Sequence, residues 1–462
     1  MVFSSLLFLF IYLPAVLGVY YLIPRKWRNV WLFAVNLVFY GWGEPIYILL
    51  MFSAITVNYL FALAIGKYRN KAKLLLILDI AFNLSLLLFF KYYDFIAENL
   101  FALGILFIRP LGVTLPLGIS FYLFQIMAYV IDVYRGDFEA QKNYIKVGNA
   151  IALFPQLIAG PIVRYRDIKE QLDYRENNAD QFASGIRRFV IGLGKKVLLA
   201  NSIGVLWDIY GAMPVSELSV LGSWLGIAAF TFQIYFDFSG YSDMAIGLGK
   251  MLGFEFLKNF NYPYISKSIT EFWRRWHMSL STWFRDYVYI PLGGNRKGLG
   301  RQVVNILIVW SLTGVWHGAS WNFVLWGVYY AALLVIEKVF LLKILERIPG
   351  VFSHIYTMLF VVIGWVLFAI EDVSVCLSYI SVMFGFSGSG PVSGEALYYL
   401  RSYGPMLVIM ILASTPVLKH IHQKIPRRLA GIAVPVLIVV FMVLSTAYLV
   451  DSSYNPFLYF RF

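Results

Sequence analysis

Residues 303–341 read VVNILIVWSLTGVWHGASWNFVLWGVYYAALLVIEKVFL. Apart from Glu337 and Lys338 this run carries no acid, lysine or arginine. A bilayer core takes about 20 apolar residues per helix, so the run is too long for one span and predicts a tight pair between Arg301 and Lys343. His317 sits inside it, flanked by Gly314, Gly318 and Ala319, small neighbours expected to leave room for a substrate. At about 1.5 Å per helical residue it lies about 24 Å along from Arg301. An ionisable side chain at that depth is a functional candidate by default.

The whole chain has the same character. Of its 462 residues 60% are hydrophobic, 18% aromatic and 14% charged, against about 45–50% apolar and about 25% charged in soluble domains. The formal charge of +13 is not spread as a nucleic-acid surface would be. Lys and Arg fall in short clusters between apolar runs, such as Arg25–Arg28, Lys67–Lys73 and Lys419–Arg428, the pattern of cytoplasmic loops. Partners are therefore a lipid bilayer and not nucleic acid. One cysteine, Cys376, excludes an internal disulfide and a cysteine metal cluster.

Reading apolar runs and basic loops together predicts an all-α polytopic protein of about 11–12 transmembrane helices, forming a single membrane-embedded domain over 1–462. No Lys or Arg precedes the first apolar run, so it is expected to be a retained span with the N-terminus outside. Residues 147–163 are apolar but have basic flanks on both sides, which predicts a re-entrant or interfacial element. Residues 250–301 are weakly hydrophobic and basic, and are expected on the cytoplasmic face.

That stretch holds a second histidine, in Glu271-Phe272-Trp273-Arg274-Arg275-Trp276-His277-Met278-Ser279. Read as one helix to Tyr287, it places Trp273, His277, Leu280 and Phe284 on one face. The loop Ile290–Gly298 follows, basic and glycine-containing, suited to a phosphate-bearing donor or to anionic headgroups. His354, His420 and His422 lie at a span end or in a basic loop, where solvated or packing roles are expected.

At these segments the chain resembles the membrane-bound O-acyltransferase (MBOAT) family, in its alginate and peptidoglycan O-acetylating branches. Glu271–His277, Trp283-Phe284-Arg285-Asp286-Tyr287, Pro291-Leu292-Gly293-Gly294-Asn295 and Gly314-Val315-Trp316-His317-Gly318-Ala319 carry the likeness, and similar segments run through 115–326. Pro291–Asn295 sets the chain apart from the D-alanyl transferase branch. The resemblance implies that His317 is catalytic and His277 the second essential histidine, with Trp283, Arg285, Asp286, Asn295, Trp316 and Asn322 binding substrate. It implies an acetyl donor such as acetyl-CoA, no permanently bound cofactor, and no metal. It also implies an extracytoplasmic acyl-accepting partner protein and a polysaccharide acceptor, in the bacterial cytoplasmic membrane. The outward aromatic ending 455–462 is a candidate docking segment. Oxyanion donors stay open among Asn322, Ser320 and backbone N–H groups.

The rival reading is a multi-span transporter or channel, which Asp79, Asp237 and Asp243 in or near the spans would suit. Gly194-Lys195 and Gly249-Lys250 are not followed by Ser or Thr, so no nucleotide-binding P-loop is present. Peptidoglycan O-acetylation and D-alanyl transfer to teichoic acid are the alternatives among enzymes.

Overall fold

A computed structural model describes residues 1–105, 108–451 and 457–458, and they are helical with no strand among them. The physical reason is that a helix satisfies its own backbone where lipid offers no partner. Among the described residues, seven helices are long and apolar enough to cross a membrane. They are Tyr47–Lys67, Arg69–Ala102, Ala179–Ala212, Gly298–His317, Gly350–Ala369, Gly394–Ala413 and Arg427–Asp451. The remaining expected passages fall on helices that are shorter, such as Phe8–Leu22 and Arg28–Gly43, or more polar, such as Val220–Met251 with its two aspartates. The chain is an integral, multi-pass membrane protein.

The fold divides into two compact units. In the first, Met1–Phe189 with Tyr241–Lys258, helices are cross-linked by buried amides. Asn36 Nδ2 donates to Asn149 Oδ1 at 3.0 Å, and Asn58 and Asn83 exchange hydrogen bonds of 3.1 and 2.8 Å beside the buried Asp79. The 147–163 segment is buried throughout and broken: one helix stops at Ala152 and a single turn, Phe154–Leu157, follows. Asn36 Oδ1 accepts from the Phe154 N–H at 2.9 Å and Gln156 Nε2 donates to the Ala150 carbonyl. Side chains thus stand in for the missing helical bonds. Asp243 pairs with Arg188 at 2.9 Å.

The second unit, Val190–Gly240 with Asn259–Phe462, holds both histidines. Its 303–341 run folds as two helices, Gly298–His317 and Trp321–Ile336, turning at Gly318–Ser320. Two glycines bring these helices into backbone contact. A Cβ on Gly314 would stand 2.4 Å from the Phe323 carbonyl oxygen, and one on Gly327 would stand 2.6 Å from that of Trp310. Such small-residue seams drive helix association in membranes. Gly318 is likewise filled, since a Cβ there would meet the Phe323 ring at 2.3 Å. The room that Gly314 and Gly318 were expected to leave is therefore filled, at those two positions, by helix packing.

Elsewhere in this unit Lys196 and Asp237 form a buried ion pair. Leu458 N–H donates to Asp237 Oδ2 at 2.8 Å, and Phe457 is buried with the Lys196 ammonium over its ring. The rest of the candidate docking segment, 455–456 and 459–462, lies outside the described residues.

Candidate active site

His277 is set by a break in its helix. The continuous helix expected over 271–287 divides into Ile269–Arg275 and Met278–Phe284, with Trp276 extended and His277 left-handed at φ 44° and ψ 53°. A β-carbon there is strained by about 1–3 kcal/mol, so the surroundings must hold it. Asn259 does much of that. Its backbone carbonyl accepts from Met278 N–H at 3.0 Å, and its Oδ1 accepts from Ser279 N–H at 3.2 Å and Ser279 Oγ at 2.9 Å. A backbone N–H can only donate, so this atom is the amide oxygen. His277 Nδ1, 3.1 Å from the same oxygen, then carries the proton and Nε2 keeps the lone pair. Phe238 packs edge-on against the imidazole at 4.7 Å. Burial pushes its pKa down to about 3, so the ring is neutral at physiological pH.

The short helix before it is anchored by Glu337. This buried carboxylate accepts from the N–H groups of Ile269 and Thr270 at 2.7 and 2.8 Å and from Thr270 Oγ1 at 2.7 Å. An anion at a helix N-terminus satisfies free donors and meets the positive end of the dipole.

A cavity of about 310 Å³ opens beside these elements. Buried Trp273, His277, Leu280 and Phe284 form its inner wall, while exposed Arg274, Arg285 and Lys338 also line it. Gln302, Ile306, Trp310 and Thr313 line it from the Gly298–His317 helix. Those positions recur at helical spacing on one face, and His317 follows one turn beyond Thr313 on the same face. His317 is buried, at the C-terminal end of its helix. Its ring is ringed by aromatics: Trp316 and Trp326 at 4.9 Å and Phe368 at 5.3 Å. Trp316 also lies 6.1 Å from His277, so one indole touches both imidazoles.

The expected substrate residues divide by place. Arg285 lines the cavity, and Asp286 holds its Nε at 2.8 Å. Trp316 lies at both histidines. Asn322 sits beside Phe323 near His317, but its amide N–H₂ donates to the carbonyls of Leu367 and Phe368 at 3.2 and 3.4 Å. Trp283 is buried against Phe284 and Tyr287, and Asn295 is exposed; neither belongs to the cavity wall. Several N–H groups of the 290–298 loop are spent internally, those of Leu292, Gly293, Gly294 and Arg296 on turn carbonyls. The loop's cations, rather than those amides, are what it offers a phosphate.

Sequence reading missed Asn259, Phe238, Trp326, Phe368 and Glu337. Only Glu337 had a signal, as a lone acid in an apolar run. The others reach the histidines through tertiary contacts.

Residues 143–381 match the membrane-bound O-acyltransferase family, MBOAT. Over 84% of this chain it is 45% identical to a protein of Azotobacter vinelandii named "Probable alginate O-acetylase AlgI", 78% of which is covered. A protein of the same name from Pseudomonas putida is 39% identical over the full length of both chains. A "Peptidoglycan O-acetyltransferase" of Helicobacter pylori is 32% identical, over 91% of this chain and 87% of its own.

Proposed function

The chain belongs to the membrane-bound O-acyltransferase family, and on that footing we propose that it moves an acetyl group from cytoplasmic acetyl-CoA for O-acetylation of an extracytoplasmic polysaccharide such as alginate. As a family member it is an enzyme that transfers an acyl group to a hydroxyl. The observation that carries the finer reading is the cavity: a cationic rim, an apolar wall ending at His277, and a helix face leading on to His317. Cations suit the phosphates of a CoA-type donor, and the apolar wall suits its acyl arm. The names of these relatives supply the alginate acceptor.

In this reading His317 is the general base. The acceptor hydroxyl oxygen attacks the thioester carbonyl while the imidazole takes its proton and then returns it to the departing thiolate. His277, neutral and fixed with its lone pair on Nε2, accepts a hydrogen bond from donor or acceptor. Arg274, Arg285 and Lys338 hold the donor. The short outer segments support a separate extracytoplasmic partner that carries the acyl group to the glycan. The membrane is the bacterial cytoplasmic membrane, with the basic loops inside.

The test is the base-labile acetate of the cell envelope, compared in wild type, a deletion, and His317→Ala at matched protein level. Equal loss in the deletion and in His317→Ala is expected. Loss in the deletion alone would move the chemistry away from His317. No change in either strain would remove the acetyl-transfer reading and favour transport.

A further inference from the structure

Transfer from a thioester needs donors for the oxygen that gathers charge, and two buried indoles between the cavity and His317 are candidates. Trp326 is fully buried, its ring centre is 4.9 Å from that of His317, and its indole N–H has no hydrogen-bond partner among the described residues. Trp273 is 7% exposed and lines the cavity, and its indole N–H is likewise without a partner. The two rings meet edge to face at 5.4 Å, one on the cavity wall and the other packed against His317. Buried donors are nearly always paired in folded proteins, and an unpaired one calls for an explanation. Asn322, the nearby side-chain amide, has already given its N–H groups to Leu367 and Phe368.

We propose that the indole N–H groups of Trp326 and Trp273 hold the acyl carbonyl oxygen during transfer at His317, an assignment that rests on reading His317 as the base. The step balances with the groups named. The acceptor oxygen forms a bond to the carbonyl carbon as its proton passes to His317, and the carbonyl π pair moves onto oxygen, where the indoles donate to it. When that pair returns, the C–S bond breaks and the thiolate takes the proton back from the imidazolium. The products are an ester and free CoA.

The test replaces each tryptophan in the full chain with β-(3-benzothienyl)alanine, which keeps the bicyclic shape and exchanges N–H for sulfur. Cell-envelope membranes that retain the protein, its extracytoplasmic partner and the glycan receive radiolabelled acetyl-CoA, and the initial rate of base-labile labelling is followed against donor concentration. Each isostere is expected to lower the maximal rate about 100-fold, with the half-saturating donor concentration within about threefold of wild type. Unchanged CoA binding by calorimetry shows that the variant is folded. An isostere that binds CoA and transfers at the wild-type maximal rate would overturn the role of that tryptophan and leave it a packing residue. The same assay separates the two readings. Wild-type transfer by His317→Ala would remove the base itself, whereas its abolition beside fully active isosteres would remove only the indole donors.

Discussion

At the scale of single residues, His277 is held in a conformation that costs energy and in a charge state that burial dictates. The unfolded chain protonates this ring below about pH 6.5, while the folded protein keeps it neutral down to about 3. Between those values the unfolded state binds more protons, so this group makes stability fall as pH falls through that window. His277→Asn keeps a side chain that tolerates the left-handed backbone and removes the titration. Its melting temperature in detergent is expected to drop less between pH 7 and pH 5 than that of wild type; an equal drop would contradict a buried neutral imidazole. The unpaired cations at the cavity are expected to act on the donor by charge alone. Arg274 and Lys338 are exposed and form no ion pair among the described residues. Replacing both by Gln is expected to raise the half-saturating acetyl-CoA concentration about 5–10-fold at unchanged maximal rate, with the gap closing in high salt. His317 was legible in the sequence because an ionisable group in an apolar run is conspicuous, and His277 through the motif that carries the family resemblance. Asn259 was not, since nothing local links it to a ring eighteen positions away.

At the scale of elements, the decisive feature is how a short helix is fixed against a long one. Ile269–Arg275 is too short to be stable alone, and Glu337 on the far side of the 303–341 hairpin caps it. Glu337→Gln leaves one acceptor oxygen for donors that now use two and removes the charge. A stability loss of about 1.5–3 kcal/mol is expected, read as a lower melting temperature, together with slower acyl transfer as the Trp273–His277 segment loosens. Full activity with a lowered melting temperature would show that the cap serves stability only. Here periodicity misled: a regular face over 271–287 was expected, and the break at His277 replaced it. Trp273, His277, Leu280 and Phe284 still meet, but around a cavity rather than along one helix.

At the scale of the whole molecule, orientation follows from where the cations lie. With Cys376 replaced by Ala, a cysteine introduced at Lys297 is expected to react with a membrane-impermeant thiol reagent only in permeabilised cells, and one at Ser387 in intact cells. The reverse pattern would invert the topology and put the cationic cavity on the wrong side for a cytoplasmic donor. Membrane class and helical architecture were determined by the sequence alone, because hydrophobic transfer and backbone satisfaction in lipid act on composition and run length, and His277 and His317 stood out there as candidates. What only the tertiary structure decided is which groups surround those histidines. Helix contacts at Gly314 and Gly327, the Glu337 cap, the Asn259 bond and the ring of tryptophans depend on distances between residues far apart in the chain, and no local pattern encodes such distances.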